Sequence, residues 1–424
     1  MEIADLNPWW KNGKVEEEYE KAKERPPLKE ILKFIEDRQI LTIVGLRRVG
    51  KTTLIHQIIN TLLNDKLKNI KKENIFYYNF DMGPVEIDEL LSKFETTLNI
   101  EIKEEKRVFV FLDEIQKLPD WNNKLKLIYD LYRNIKFIIT GSASLFIEKK
   151  TKESLAGRAF SFKLNPLTFK EFLQFKNFKI EKNLELFKKE LNELLTNYLK
   201  SGGFPELVNK KSLEKIKTYI KESVIDRSVY IDIPQVFKIE EPDLLVKLIN
   251  IISSNPGSIL DFNNLADDLQ RDRKTISSYL FYLEKAFLIK KLYNFSSNIL
   301  TSEKKGKKFY PASTAFGYFF NAEFSKLIEN IAAIILDTKF FYRKQNYEVD
   351  FIEIKEKKIR AVEVKYKENI KKEDFSGLRY FYNAFKKKFK INSILISKDL
   401  EKKIKSKDLN INLIPIWKWL LAER

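Results

Sequence analysis

The residues best equipped for chemistry are Gly45-Leu-Arg-Arg-Val-Gly50-Lys51-Thr52-Thr53. They fit the pattern G-x-x-x-x-G-K-[ST]. Gly45 and Gly50 let main-chain N–H groups wrap a phosphate, and a helix opening at Lys51 adds the field of its N-terminus. In such a loop Lys51 reaches the β- and γ-phosphates of a triphosphate, and Thr52, next to Thr53, ligates Mg²⁺. The cofactors expected are therefore ATP and Mg²⁺. Arg47 and Arg48 lie inside the loop, placed to touch the nucleotide, to meet a neighbouring subunit of a homo-oligomer, or to face solvent.

A second acidic motif fits the first. The apolar run Val108–Leu112 ends in Asp113-Glu114. At the tip of a buried strand, Asp113 would hold the metal and Glu114 would activate the attacking water. That pair favours hydrolysis over transfer to a small acceptor, as in a small-molecule kinase. Thr140-Gly-Ser142 closes another apolar run, and either hydroxyl is a candidate sensor of the γ-phosphate. Arg158 is the first candidate for transition-state charge and Arg227 the second.

These residues need a scaffold. Short apolar runs at Ile40–Val44, Ile75–Phe80, Val108–Leu112 and Phe137–Thr140 alternate with helical patterns, which predicts a parallel sheet covered by helices on both faces. The fold expected is α/β, with a phosphate-loop sheet followed by other units. The boundaries read as an arm over 1–27, an ATPase core over 28–168, a helical lid-like region over 169–245, a winged helix over 246–312 and an α/β unit over 313–424. Phe169 to Tyr198 reads as helical throughout.

Composition narrows the classes. The 424 residues include no Cys and one His, His56, so thiolate sites, disulfides and multi-histidine metal sites are excluded, and a Ser-His-Asp triad is disfavoured. Lys and Arg number 78 against 60 Asp and Glu, a net charge of +18 that suits an acidic partner, above all DNA. No apolar run is long enough to span a bilayer and no secretory signal is recognised, so the expectation is a cytoplasmic chain without a membrane partner.

With these residues in view, Gly45–Thr53, Leu112-Asp-Glu-Ile-Gln116, Thr140-Gly-Ser142, Leu155-Ala-Gly-Arg158 and Gly202-Gly-Phe-Pro-Glu206 together resemble the prokaryotic, largely archaeal, AAA+-type ATPases, in the branch that carries a C-terminal domain of unknown function. The resemblance implies a core sheet in which the Thr140 strand lies between those of the phosphate loop and Asp113.

The remainder reads as a nucleic-acid module. Two short helical patterns, Asp261 to Gln270 and Lys274 to Ala286, precede apolar stretches at Leu288–Tyr293 and Lys308–Tyr310 around a lysine-rich tip, as in a winged helix-turn-helix. Arg271, Arg273 and Lys274 would open the recognition helix with Thr275, Ser277 and Ser278, and Lys304, Lys305, Lys307 and Lys308 would grip phosphates from the wing. Further on, Asp350 and Glu363-Val-Lys365 have the spacing D-x(12)-E-x-K, which resembles the restriction-endonuclease-like core, with Glu329 as its extra acid. Two acids at one strand edge suit Mg²⁺, and Lys365 would orient water. The function expected is ATP-controlled engagement of DNA with metal-dependent cleavage. The alternative is a nucleotide-gated regulator, without cleavage, that binds a protein or operator DNA.

Overall fold

A computed structural model of the chain describes residues 2–65, 70–141, 155–180, 183–296, 302, 305–406 and 409–423. The chain divides into two compact units, Met1–Asn165 and Pro166–Arg424.

The first unit is built on five parallel strands: β1 (Ile40–Val44), β2 (Ile75–Asn79), β3 (Val108–Asp113), β4 (Ile135–Gly141) and β5 (Ala159–Lys163). Their order is β2-β3-β4-β1-β5. The central three are buried along their whole length, which is why they read as unbroken apolar runs rather than alternating ones. Helices Lys51–Asn64, Ile87–Leu98 and Trp121–Leu131 lie between the strands along the chain. As the resemblance implied, β4 lies between β1 and β3, which puts Thr140 beside both phosphate-site motifs.

Residues 2–27 lie along this unit. The Asn7 side chain accepts from Tyr77 N (2.7 Å) and donates to Tyr77 O (3.0 Å), so it covers part of the edge of β2 as a neighbouring strand would. The indole N–H groups of Trp9 and Trp10 both donate to Ile75 O.

The second unit carries a nine-stranded sheet. Its strands are β6 (Ser258–Leu260), β7 (Ile289–Asn294), β8 (Lys307–Pro311), β9 (Phe340–Lys344), β10 (Tyr347–Lys355), β11 (Lys358–Lys365), β12 (Lys390–Ser397), β13 (Lys402–Ser406) and β14 (Leu409–Pro415). The order is β13-β14-β12-β11-β10-β9-β7-β8-β6. The hairpin β7–β8 thus joins the same sheet as the C-terminal strands, through the parallel pairing of β7 with β9. Two apolar clusters flank the sheet. One gathers Phe351, Val362 and Ile394 with Leu195, Ile331 and Trp417; the other gathers Val349, Ala361 and Leu395 with Leu378 and Phe381.

The single helix expected from Phe169 to Tyr198 is two, Phe169–Phe175 and Lys188–Ser201. Asn177 takes a left-handed φ of 58°, and the amides of Asn177 and Phe178 turn back to Gln174 O and Leu173 O, which ends the first helix.

Candidate active site

The phosphate loop runs from the end of β1 into the helix Lys51–Asn64. Two glycines are required by its path. Gly50, the residue before the helix, has φ 96°, a region that L side chains rarely adopt. A Cβ on Gly45 would stand 2.3 Å from Leu164 O, where the loop runs against the chain leaving β5. Arg25 braces the same loop, its guanidinium donating to Val49 O and Asn165 O, both at 2.9 Å. Arg48, also in the loop, is exposed with φ 66°. Thr53 follows Thr52 in the first helical turn and is half-buried.

The other site residues converge from three strands. Thr52 Oγ1 donates to Asp113 Oδ2 at 2.7 Å, and Tyr77 OH donates to the same oxygen at 3.1 Å. Thr140 Oγ1 donates to Asp113 Oδ1 and accepts from Glu114 N at 3.0 Å. Buried Lys51 rests its Nζ 3.3 Å from both Gly45 O and Leu46 O, and 3.8 Å from Glu114 Oε1. Glu114 leaves β3 with φ 53°, a left-handed turn that costs a non-glycine residue roughly 1 kcal/mol and aims its side chain toward Lys51. Gln116 donates to its carboxylate.

Burial pushes the Glu114 carboxyl above the usual carboxylate range, and the Asp113 charge adds to this, against the opposite pull of Lys51, Gln116 and Arg47. The Tyr77 phenol is also held well above its ordinary value, by burial and by Asp113. It therefore stays a hydrogen-bond donor to the carboxylate.

Lys51, Thr52, Asp113, Glu114 and Thr140 are thus brought together. Ser142 lies outside the described residues. Arg158 is not brought to this loop within its own chain. It precedes β5, whose first residue Ala159 pairs with Ile40 at the start of β1, so it sits at the opposite end of the parallel strands. There it donates to Asp130 Oδ1 at 3.2 Å. Arg227, in the second unit, lies between the π-helical stretches Tyr219–Asp226 and Ser228–Asp232. Sequence reasoning missed Tyr77 and Arg25. Tyr77 had a signal, since it lies two residues before the end of β2, on the face where Asn79 pairs with Asp113.

Residues 37–173 match a family model described as an AAA domain, and 192–318 and 329–419 match two domains of unknown function, DUF8612 and DUF4143. The chain is 30% identical over 407 residues to an uncharacterised protein of Methanocaldococcus jannaschii, covering 91% of this chain and 88% of that one. The chain belongs to this AAA-type ATPase family. A Haemophilus influenzae relative, also uncharacterised, is 26% identical over 378 residues, covering 85% of this chain and 90% of its own. A solved Walker-type ATPase of Pyrococcus abyssi is 16% identical with TM-score 0.43, covering 73% of this chain and 98% of that one.

The second unit holds the other predicted residues. Arg273 and Lys274 are exposed in the first turn of the helix Arg273–Lys285, behind the cap Asp272, which accepts from Thr275 N at 2.9 Å. Arg271 is engaged elsewhere, with its guanidinium 2.7 Å from Glu241. Lys304 lies outside the described residues, and Lys308 points inward, 3% exposed, so it is no phosphate grip. Arg273, Lys305 and Lys307 line a cavity of about 410 Å³ with Phe262.

Glu329, Asp350, Glu363 and Lys365 also meet. Asp350 N donates to Glu363 Oε2 (3.3 Å), Val364 N to Asp350 Oδ2 (2.9 Å), and Lys365 to Glu363. Lys308 Nζ stands among them, 3.0 Å from Asp350 and 3.3 Å from Glu329. Burial opposes the Lys308 charge, but Tyr310, Asp350, Glu329 and Glu348 outweigh it and hold its pKa well above that of an ordinary lysine. Burial raises Glu363, helped by Asp350; Asp350 is lowered despite its burial, by Lys308 and Lys365. At the far end of β11 an open cavity of about 1270 Å³ is lined by Lys355, Lys358, Lys386, Lys390, Lys403 and Phe389. Among the described residues no helix is long and apolar enough to cross a membrane.

Proposed function

We propose that the chain is a Mg²⁺-dependent ATPase whose nucleotide state governs its grip on DNA. The observation that carries the reading is the convergence of Thr52, Asp113, Thr140 and Glu114 beside Lys51. The amides of Gly45–Thr53 and the Lys51 ammonium hold the phosphates. The Thr52 hydroxyl and Asp113 carboxylate are hard oxygen donors 2.7 Å apart, a pair that suits Mg²⁺. When bound, the ion supplies charge neutralisation at the phosphate oxygens.

Glu114 takes the proton of the attacking water; a carboxyl raised by burial accepts protons nearer neutral pH. Thr140 bridges the two acids, so a shift at one is felt by the other. Lys51→Ala is expected to abolish nucleotide binding, and Glu114→Gln to bind ATP without turnover. Unchanged turnover in either variant rejects the assignment.

The DNA-binding part is supported by the order of elements: helix Pro242–Ser254, β6, helix Phe262–Asp268, helix Arg273–Lys285, then the hairpin β7–β8. A winged helix has this order, with its recognition helix opening at the exposed Arg273 and Lys274. Anisotropy of a labelled duplex titrated with Glu114→Gln protein is expected to give different affinities with ATP and with ADP. Equal affinities reject the coupling. A second reading, a regulator that does not cleave, is favoured by the position of Lys308 among the C-terminal acids.

A further inference from the structure

Spacing in the sequence assigns a divalent cation to Glu329, Asp350 and Glu363, but the surroundings of these acids do not fit one. Lys308, from β8, puts its ammonium where such an ion would sit, against Asp350 Oδ1 (3.0 Å), Glu329 Oε1 (3.3 Å) and Glu348. The remaining acid oxygens are already engaged. Asp350 Oδ2 accepts Val364 N, and Glu363 is bonded by Lys365 and by Asp350 N. Glu329 accepts Tyr310 OH at 2.7 Å and Lys326 at 3.2 Å.

Charge points the same way. Glu329, Glu348, Asp350 and Glu363 face as many bases, Lys308, Lys326, Lys365 and Arg343, so no uncompensated negative charge is left for an added ion. A divalent cation needs several oxygens at about 2.0–2.6 Å, and an ammonium at the centre of the acids repels it. Among the described residues no group of three or more acids is arranged to hold a metal. The fold also makes room for this contact. Gly257 lies against it with φ 81°, and a Cβ there would stand 2.5 Å from Glu329 Oε1 and 3.0 Å from the Tyr310 ring.

We propose that Lys308 is the resident cation of the C-terminal acids: an internal ionic lock between the β7–β8 hairpin and β10–β11 that stands in place of a divalent metal, so that the chain does not cleave DNA through these residues. The inference is independent of the phosphate-loop reading.

The test is Mn²⁺ binding to the full-length protein without nucleotide, followed by the electron paramagnetic resonance signal of free Mn²⁺. Wild type and Asp350→Asn are expected to bind the same number of ions. Lys308→Met is expected to gain one Mn²⁺ per chain, lost again in the double variant Lys308→Met/Asp350→Asn. A Mn²⁺ that wild type binds and Asp350→Asn loses overturns the proposal. So does a folded Lys308→Met protein with no added site, or Mg²⁺-dependent DNA cleavage that disappears in Asp350→Asn. If Lys308→Met does not fold, the wild-type comparison with Asp350→Asn still decides.

Discussion

The Thr52 hydroxyl donates to the Asp113 carboxylate at 2.7 Å, joining the first turn of the phosphate-loop helix to the tip of β3. Between their strands runs β4, whose Thr140 holds the other Asp113 oxygen. The acid is therefore oriented from both sides by neutral donors, which fix its geometry without neutralising its charge. Thr52→Ala removes one oriented oxygen and is expected to lower turnover about 100-fold and raise the Mg²⁺ concentration for half-maximal activity. Steady-state ATPase rates across a Mg²⁺ series check this; an unchanged Mg²⁺ dependence contradicts it.

How much of this site is legible in the sequence depends on how local each signal is. Lys51 and Thr52 follow Gly50 directly, and Asp113 and Thr140 end strands that are buried throughout and so stand out as apolar runs. β5 did not stand out. Its sequence Ala-Phe-Ser-Phe-Lys is largely exposed at the sheet edge, and without it nothing showed that Arg158 opens a strand parallel to β1 and so lies away from the loop. Arg25, Tyr77 and Lys308 reach their partners across 24, 36 and 42 residues respectively, distances that only tertiary packing bridges. A lysine in a lysine-rich hairpin looks like a solvated charge; the pairing of β7 with β9 is what turns the sheet so that Lys308 is buried.

His56 gives a pH signature. It is packed between Tyr19, stacked at 3.9 Å, and the rings of Trp9 and Tyr77, and burial lowers its pKa from 6.5 to about 4. The folded state thus disfavours the protonated ring. The stability this contributes is complete above pH 6.5 and is lost as pH falls through about 4, a change of about 3 kcal/mol over that window. Denaturant unfolding at pH 7 and pH 4.5 is expected to show a smaller loss in His56→Phe than in wild type. Because the chain has one histidine, its imidazole NMR signal can be followed directly; a midpoint near 6.5 contradicts the account.

Lys136 is a buried lysine whose pKa burial, with Arg107, lowers from 10.5 to about 7. It is fully buried, and its Nζ donates to Phe34 O, Asp37 O and Gln39 O at 2.8, 2.6 and 2.6 Å. One buried amino group thus gathers the turn that leads into β1 onto the start of β4. Lys136→Met keeps the length of the side chain but leaves three carbonyls short of a donor, which is expected to cost about 3 kcal/mol. Thermal unfolding measures it, and a change under about 0.5 kcal/mol would mean that water replaces the lysine nitrogen at those carbonyls.

The helix Arg273–Lys285 separates two kinds of basic residue. Arg273 and Lys274 are exposed in its first turn, whereas Arg271 is held by Glu241 in a forked pair. If the helix enters a DNA groove, each lost phosphate contact lowers the slope of log affinity against log salt by about 0.9. The double variant Arg273→Ala/Lys274→Ala is expected to weaken duplex binding at least 10-fold at about 0.1 M salt and to reduce that slope by about 2. Arg271→Ala is expected to leave the slope near the wild-type value, because its charge is already spent on Glu241. Anisotropy titrations at four salt concentrations distinguish these outcomes. An equal loss in Arg271→Ala and the double variant would move the contact surface away from the start of this helix.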